Sequence, residues 1–162
     1  MRKGKVRAVI SWAAVLIWMV VIFLFSAQNG AQSGDLSGSL LEKILAFFHF
    51  STEQTDFWEM ILRKGAHFGV YFILAILLAV AFRASGVSLR KGIGLALLLS
   101  AAYAVTDEVH QYFVPGRAMR AFDVFIDTCG AATGLLLYLA ARFGIHGVRQ
   151  RRRANQHMKT GE

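Results

Sequence analysis

The chain has 162 residues, of which 56% are hydrophobic, with a mean hydropathy of +0.47 and a formal charge of +8. That apolar content excludes an ordinary soluble domain, and a single Cys excludes an internal disulfide or CxxC metal site. The basic residues stand in short runs flanking apolar stretches, with no basic face interleaved with aromatics, which excludes a nucleic-acid surface and points to membrane topology.

A helix needs about 20 mainly apolar residues to cross roughly 30 Å of hydrocarbon. Four stretches meet that requirement and predict an all-α, polytopic membrane protein, a four-helix transmembrane bundle whose backbone groups are bonded within each helix. Residues 1–7 are a basic N-terminus. The first span covers about 8–26. Arg2, Lys3, Lys5 and Arg7 resemble a signal-peptide n-region, but the apolar run exceeds the roughly 7–15 residues of such peptides. Phe25 also stands where cleavage after Ala27 would need a small residue, so the span is expected to be an uncleaved anchor.

Residues 27–63 follow as an extracytoplasmic segment. Leu40, Leu41, Ile44, Leu45 and Phe48 recur there at amphipathic spacing and predict an additional helix on the outer surface. Ser51-x-x-Gln54 has the form of a capping box, and Trp58 suits an interfacial belt. A plain solvated connector is the competing reading of the segment. The remaining spans cover about 66–82, 92–113 and 123–143, which makes 8–143 one transmembrane domain, and 144–162 is a basic tail. With four spans, the N-terminal run, the group Arg83, Arg90 and Lys91, and the tail with Arg142, Arg149, Arg151, Arg152 and Arg153 share one side. The excess of positive charge makes that side the cytoplasm and places both termini there.

This topology brings distant polar residues together. Lys64, His67 and Tyr71 open the second span, Asp107, Glu108 and Gln111 close the third, and Asp123 and Asp127 open the fourth. Gly92–Thr106 is too short to cross alone, so Asp107 and Glu108 are drawn to membrane depth. Helical phase agrees: Lys64, His67 and Tyr71 lie at i, i+3 and i+7, and Asp107 and Gln111 at i and i+4. Asp123, Asp127, Gly130 and Gly134 continue one face of the fourth span, where Gly130-x-x-x-Gly134 allows close helix approach. Ionisable groups at such depth are costly and mark a candidate site.

Three runs occur in order: Lys64-x-x-His67-x-x-x-Tyr71, Asp107-Glu108-x-x-Gln111-x-Phe113-x-Pro115-Gly116-Arg117, and Asp123-x-x-x-Asp127-x-x-Gly130-x-x-x-Gly134. Together they resemble the VanZ-like family of small bacterial membrane proteins, over about Phe25 to Phe143 and including Ser26 and Gln28. The resemblance implies a multi-pass protein of the bacterial cytoplasmic membrane with a role in the cell envelope. It also implies a link to teicoplanin resistance, with which the family's founding member is associated, but no settled reaction. Asp127 departs from the pattern, which often has Asn there, so the resemblance implies no role needing a fixed charge at that position.

The expected chemistry is acid–base work on a lipid-linked or anionic envelope substrate. His67, Asp107 and Glu108 are the candidate catalytic groups, since imidazole exchanges protons near neutral pH and a neighbouring carboxylate orients it or acts as base. Lys64, Tyr71, Gln111, Arg117, Asp123 and Asp127 are the candidate substrate-binding groups, with Arg117 offering a planar fork for phosphate or carboxylate. The expected partners are the lipid bilayer and a lipid-linked cell-wall precursor or a glycopeptide. No cofactor is specified. No metal is assigned either, because the spacing matches no dedicated motif and nearby cations oppose one electrostatically. Two other readings use the same residues: a non-catalytic binder of a lipid-linked headgroup or amphiphilic glycopeptide, and a structural network in which Lys64, Arg117 and Arg120 pair with the acids. A transporter is disfavoured by the absence of a visible inverted repeat.

Overall fold

A computed structural model describes residues 2–29, 38–39 and 55–160, with side chains described over 4–29, 38–39 and 57–144. The described residues form four long helices and no strand: α1 Arg2–Ser26, α2 Thr55–Ala84, α3 Leu89–Tyr112 and α4 Ala121–Thr160. Each contains a segment long and apolar enough to cross a membrane, namely Gly4–Ser26, Phe57–Ala84, Leu89–Tyr112 and Ala121–Gly144. The fold is therefore an all-helical, four-helix membrane bundle. The expected surface helix over Leu40 to Phe48 and the Ser51-x-x-Gln54 box lie outside the described residues.

Two helix boundaries differ from the hydropathy reading. α2 begins at Thr55 rather than near Ala66. Charged Glu59, Arg63 and Lys64 end an apolar run without ending a helix, because they are good helix formers interleaved with Phe57, Trp58, Met60 and Ile61. His67 consequently lies about 15 Å along α2 from Phe57. α4 likewise continues past Phe143 to Thr160, through an arginine-rich stretch that also favours helix. α3 stops at Tyr112, with Phe113 as its cap, and Gly116 at φ 76° turns the chain back toward α4.

Consecutive helices run antiparallel, and α2 packs on all three others. Lipid tails are as apolar as Leu, so helices associate in a membrane by close packing more than by hydrophobic exclusion. The α2–α4 contact follows that rule: Gly130 and Gly134 lie against the Phe68 and Phe72 carbonyls of α2, where a Cβ would collide with backbone. The core is largely small or medium side chains, among them Ala75, Ala79, Ala104 and Ala131 with Leu74 and Leu78. Leu16, Ile17, Leu98, Leu136 and Leu137 project outward, as a lipid-facing surface requires.

α1 packs Val15 and Ile22 into the core and is also held by directional polar bonds. Trp12 Nε1 donates to Ser85 Oγ at 3.0 Å, Trp18 Nε1 to the Val70 carbonyl at 2.9 Å, and Tyr103 Oη to the Met19 carbonyl at 2.7 Å. Ser26 Oγ lies 3.2 Å from His110 Nδ1, whose ring also packs on Phe23. Trp18→Phe keeps a ring in place and removes one of these bonds. It is expected to lower stability in detergent by about 1 kcal/mol, read from the thermal unfolding midpoint. An unchanged midpoint would show that the indole bond contributes nothing.

Candidate functional site

α1 and α3 end, and α4 begins, at the level of Lys64 and His67 of α2, so three helix ends and the 113–120 turn converge on the side of that helix. Of the residues anticipated there, α2 supplies Lys64, His67 and Tyr71, α3 supplies Asp107, Glu108 and Gln111, and α4 supplies Asp123 and Asp127. Arg117 enters from the turn.

The cations and acids do not pair as charge counting suggests. Lys64 Nζ binds Asp123 Oδ1 at 2.5 Å and stands 4.9 Å from the Phe122 ring centroid, which places this ion pair toward the partly exposed rim. Arg117 meets no carboxylate among the described residues. Its Nε donates to the Gln28 carbonyl at 3.1 Å, Nη2 to the Phe25 carbonyl at 3.3 Å, and Nη1 to Gln111 Oε1 at 3.2 Å. Burial draws its pKa below the ordinary guanidinium value and Arg63 adds to this, while Asp107 and Glu108 oppose it. The planar fork thus ties the end of α1 to the end of α3. Arg120 contributes its backbone N–H, which donates to Glu108 Oε2 at 2.8 Å.

Inward of this rim lies an acidic group. Asp107, Glu108 and Asp127 are 5%, 0% and 0% exposed. Asp107 Oδ2 accepts from Gln111 Nε2 at 3.2 Å, and His67 Nδ1 approaches Asp127 Oδ1 to 3.4 Å without hydrogen-bond geometry. Both Asp127 oxygens, Glu108 Oε1, Tyr71 Oη and His67 Nδ1 are buried without hydrogen-bond partners. His67, Asp107 and Asp127 each present one potential ligand atom, all within 4.8 Å of one another.

Beside this group, between α1 and α2 and floored by α3, is a cavity of about 570 Å³. Trp18, Ile22 and Phe25 of α1 face Leu62, Ala66, Gly69 and Ile73 of α2 across it, so most of the wall is apolar. Arg63, His67, Asp107, Gln111 and Arg117 add polar and charged side chains to the same wall. The volume falls within the roughly 300–1,000 Å³ of small-molecule sites. Glu108, Asp123 and Asp127 are not part of this wall, and neither are Lys64 and Tyr71.

The VanZ/LLP1 family model matches residues 11–142. The chain belongs to the VanZ/LLP1 family. No curated protein and no solved structure matches it. In this VanZ/LLP1 chain the matched region takes in the second and third membrane-spanning segments whole, most of the first and fourth, and every residue of the buried group.

Sequence reasoning missed Arg63 and Trp18 as cavity residues. Arg63 was legible in principle, since it lies four residues before His67 and therefore one turn along the same face. Trp18 was not, because the apolar first span has no polar partner residue that would fix its phase.

Proposed function

We propose that this VanZ/LLP1 protein binds an amphiphile of the cell envelope, with the apolar part between α1 and α2 and an anionic head against Arg63 and Arg117. The observation that carries this reading is the cavity itself, which joins an apolar wall on two helices to cationic and hydrogen-bonding groups. A lipid-linked cell-wall precursor and an amphiphilic glycopeptide such as teicoplanin share that chemistry. Charge supports an outward-facing site in the bacterial cytoplasmic membrane. Arg7 and Arg83 rim a hollow at the other end of the bundle, and by the positive-inside rule that end is cytoplasmic.

Gly69 lines the cavity, and a side chain there would project into open space. Gly69→Phe is expected to fill the site and weaken binding of a labelled polyprenyl phosphate or of teicoplanin at least about tenfold, the effect of losing roughly 1.4 kcal/mol. Gly65→Phe, on an exposed face of the same helix, serves as control. Undiminished binding by the Gly69 variant, or equal loss in both, would remove the reading.

A second reading adds acid–base chemistry at the bound head, and the presence of both His67 and Asp107 in the cavity wall supports it. On that reading His67→Gln retains ligand and forms no product, whereas the parent converts it. Saturable binding without product in the parent over long incubation assigns the site to binding alone.

A further inference from the structure

We propose that His67, Asp107 and Asp127 form a divalent-cation site at the inner edge of the cavity. Three observations converge on it. First, one ligand atom from each of His67, Asp107 and Asp127 falls within 4.8 Å of the others, from three different helices. A cation with bonds of roughly 2.0–2.2 Å holds its ligands about 3–4 Å apart, so small side-chain rotations close the set.

Second, buried ligand atoms lack hydrogen-bond partners, although His67 Nδ1 stands 3.4 Å from Asp127 Oδ1. Asp127 is 0% exposed and neither of its oxygens has a hydrogen-bond partner; Glu108 Oε1, Tyr71 Oη and His67 Nδ1 share that condition. A buried carboxylate without a hydrogen bond or counter-charge is among the most costly arrangements in a protein, and metal coordination is one of the few ways to relieve it. Third, the cations that sequence alone sets against a metal are engaged elsewhere. Lys64 is bound to Asp123, and the Arg117 guanidinium is bound to two carbonyls and Gln111. Among the described residues no Lys or Arg side chain forms an ion pair with Asp107, Glu108 or Asp127.

The donor set selects the class of ion. One imidazole with two carboxylates suits the borderline cation Zn²⁺, or Mn²⁺, which is harder but accepts mixed nitrogen and oxygen ligands, and the lack of thiolate and thioether donors disfavours Cu⁺. Mg²⁺ and Ca²⁺ prefer all-oxygen shells, which the imidazole interrupts. Because His67 and Asp107 also line the cavity, a bound ion would sit within reach of an anionic head there. That last step rests on the amphiphile reading, but the cation site itself does not.

The test uses the untagged full chain in detergent, stripped with chelator and then offered Zn²⁺, Mn²⁺, Mg²⁺ or Ca²⁺ with no amphiphile present. Expected are one Zn²⁺ or Mn²⁺ per chain after desalting, a raised thermal midpoint and a broadened Mn²⁺ electron-spin-resonance signal. Asp127→Asn, Asp107→Asn and His67→Gln should each weaken uptake at least tenfold, while Tyr112→Phe, on the exposed surface, should not. Each variant is first checked for monodisperse elution. No uptake of any of the four ions by the folded parent overturns the proposal, as does uptake that survives all three substitutions. Mg²⁺ or Ca²⁺ binding as tightly as Zn²⁺ and Mn²⁺ overturns the assigned ion class. Since the parent protein alone decides the first outcome, misfolded variants cannot obscure it, and failure here leaves the amphiphile assay standing.

Discussion

Gly130→Leu is expected to leave little folded protein, in contrast to Gly94→Leu on α3, which should express and melt like the parent. A Cβ at Gly130 would lie on the Phe68 carbonyl group, 2.9 Å from its carbon, whereas at Gly94 it meets nothing within 4 Å. Backbone cannot rotate aside as a side-chain tip can. α2 and α4 would have to separate, and Lys64 and His67 would then lose their registration with Asp123 and Asp127. Overpacking a well-filled core typically costs about 1–3 kcal/mol, and a Leu against main chain belongs at or above the upper end. Gly130→Ala, with only the methyl to place, should show a smaller loss in the same direction. Detergent size-exclusion profiles and thermal midpoints make the comparison; a Gly130→Leu protein that melts with the parent would mean that these helices do not pack through this face.

Arg117→Ala is the second large effect, and it should reduce both stability and ligand affinity. The guanidinium donates to the Phe25 and Gln28 carbonyls and to Gln111 Oε1, so three chain segments lose a common partner at once. A hydrogen bond to a charged group contributes about 1.5–3 kcal/mol net. Water reaches part of this half-buried site, so a total loss of about 2–3 kcal/mol is expected. Arg117→Lys discriminates between the two roles. Lysine keeps a positive charge for an anionic head but has no fork to span three acceptors, so affinity should recover in part while the thermal midpoint stays low. Full recovery of the midpoint by Lys would refute the tethering role.

The spans were legible because lipid leaves few options: a long apolar run must be a helix, and the two ends of that run are set by hydrocarbon thickness. The start of α2 was not, because Arg63 and Lys64 look like a boundary to hydropathy although helix geometry passes straight through them. The composition of the site was legible for a similar reason. Helical phase places Lys64, His67 and Tyr71 on one face and Asp123 with Asp127 on another, and the topology brings those faces to one end. The pairing within the site was hidden. Whether Arg117 reaches a carboxylate or the carbonyls at the end of α1 depends on how the turn at Gly116 folds back, which no local pattern encodes. The division into an exposed Lys64–Asp123 rim and a cation-poor interior was hidden too, since it arises from depths on neighbouring helices rather than from spacing along one.

The indole and phenol bonds that hold α1 act as an index pin. Trp12, Trp18 and Tyr103 each engage one specified oxygen on a neighbouring helix or, for Trp12, in the turn after α2, and a slip of α1 by a single residue shifts it about 1.5 Å and turns it about 100°. No such slipped arrangement satisfies all three at once. A segment that is otherwise featurelessly greasy is therefore held to one rotational setting, the one that turns Trp18, Ile22 and Phe25 toward α2.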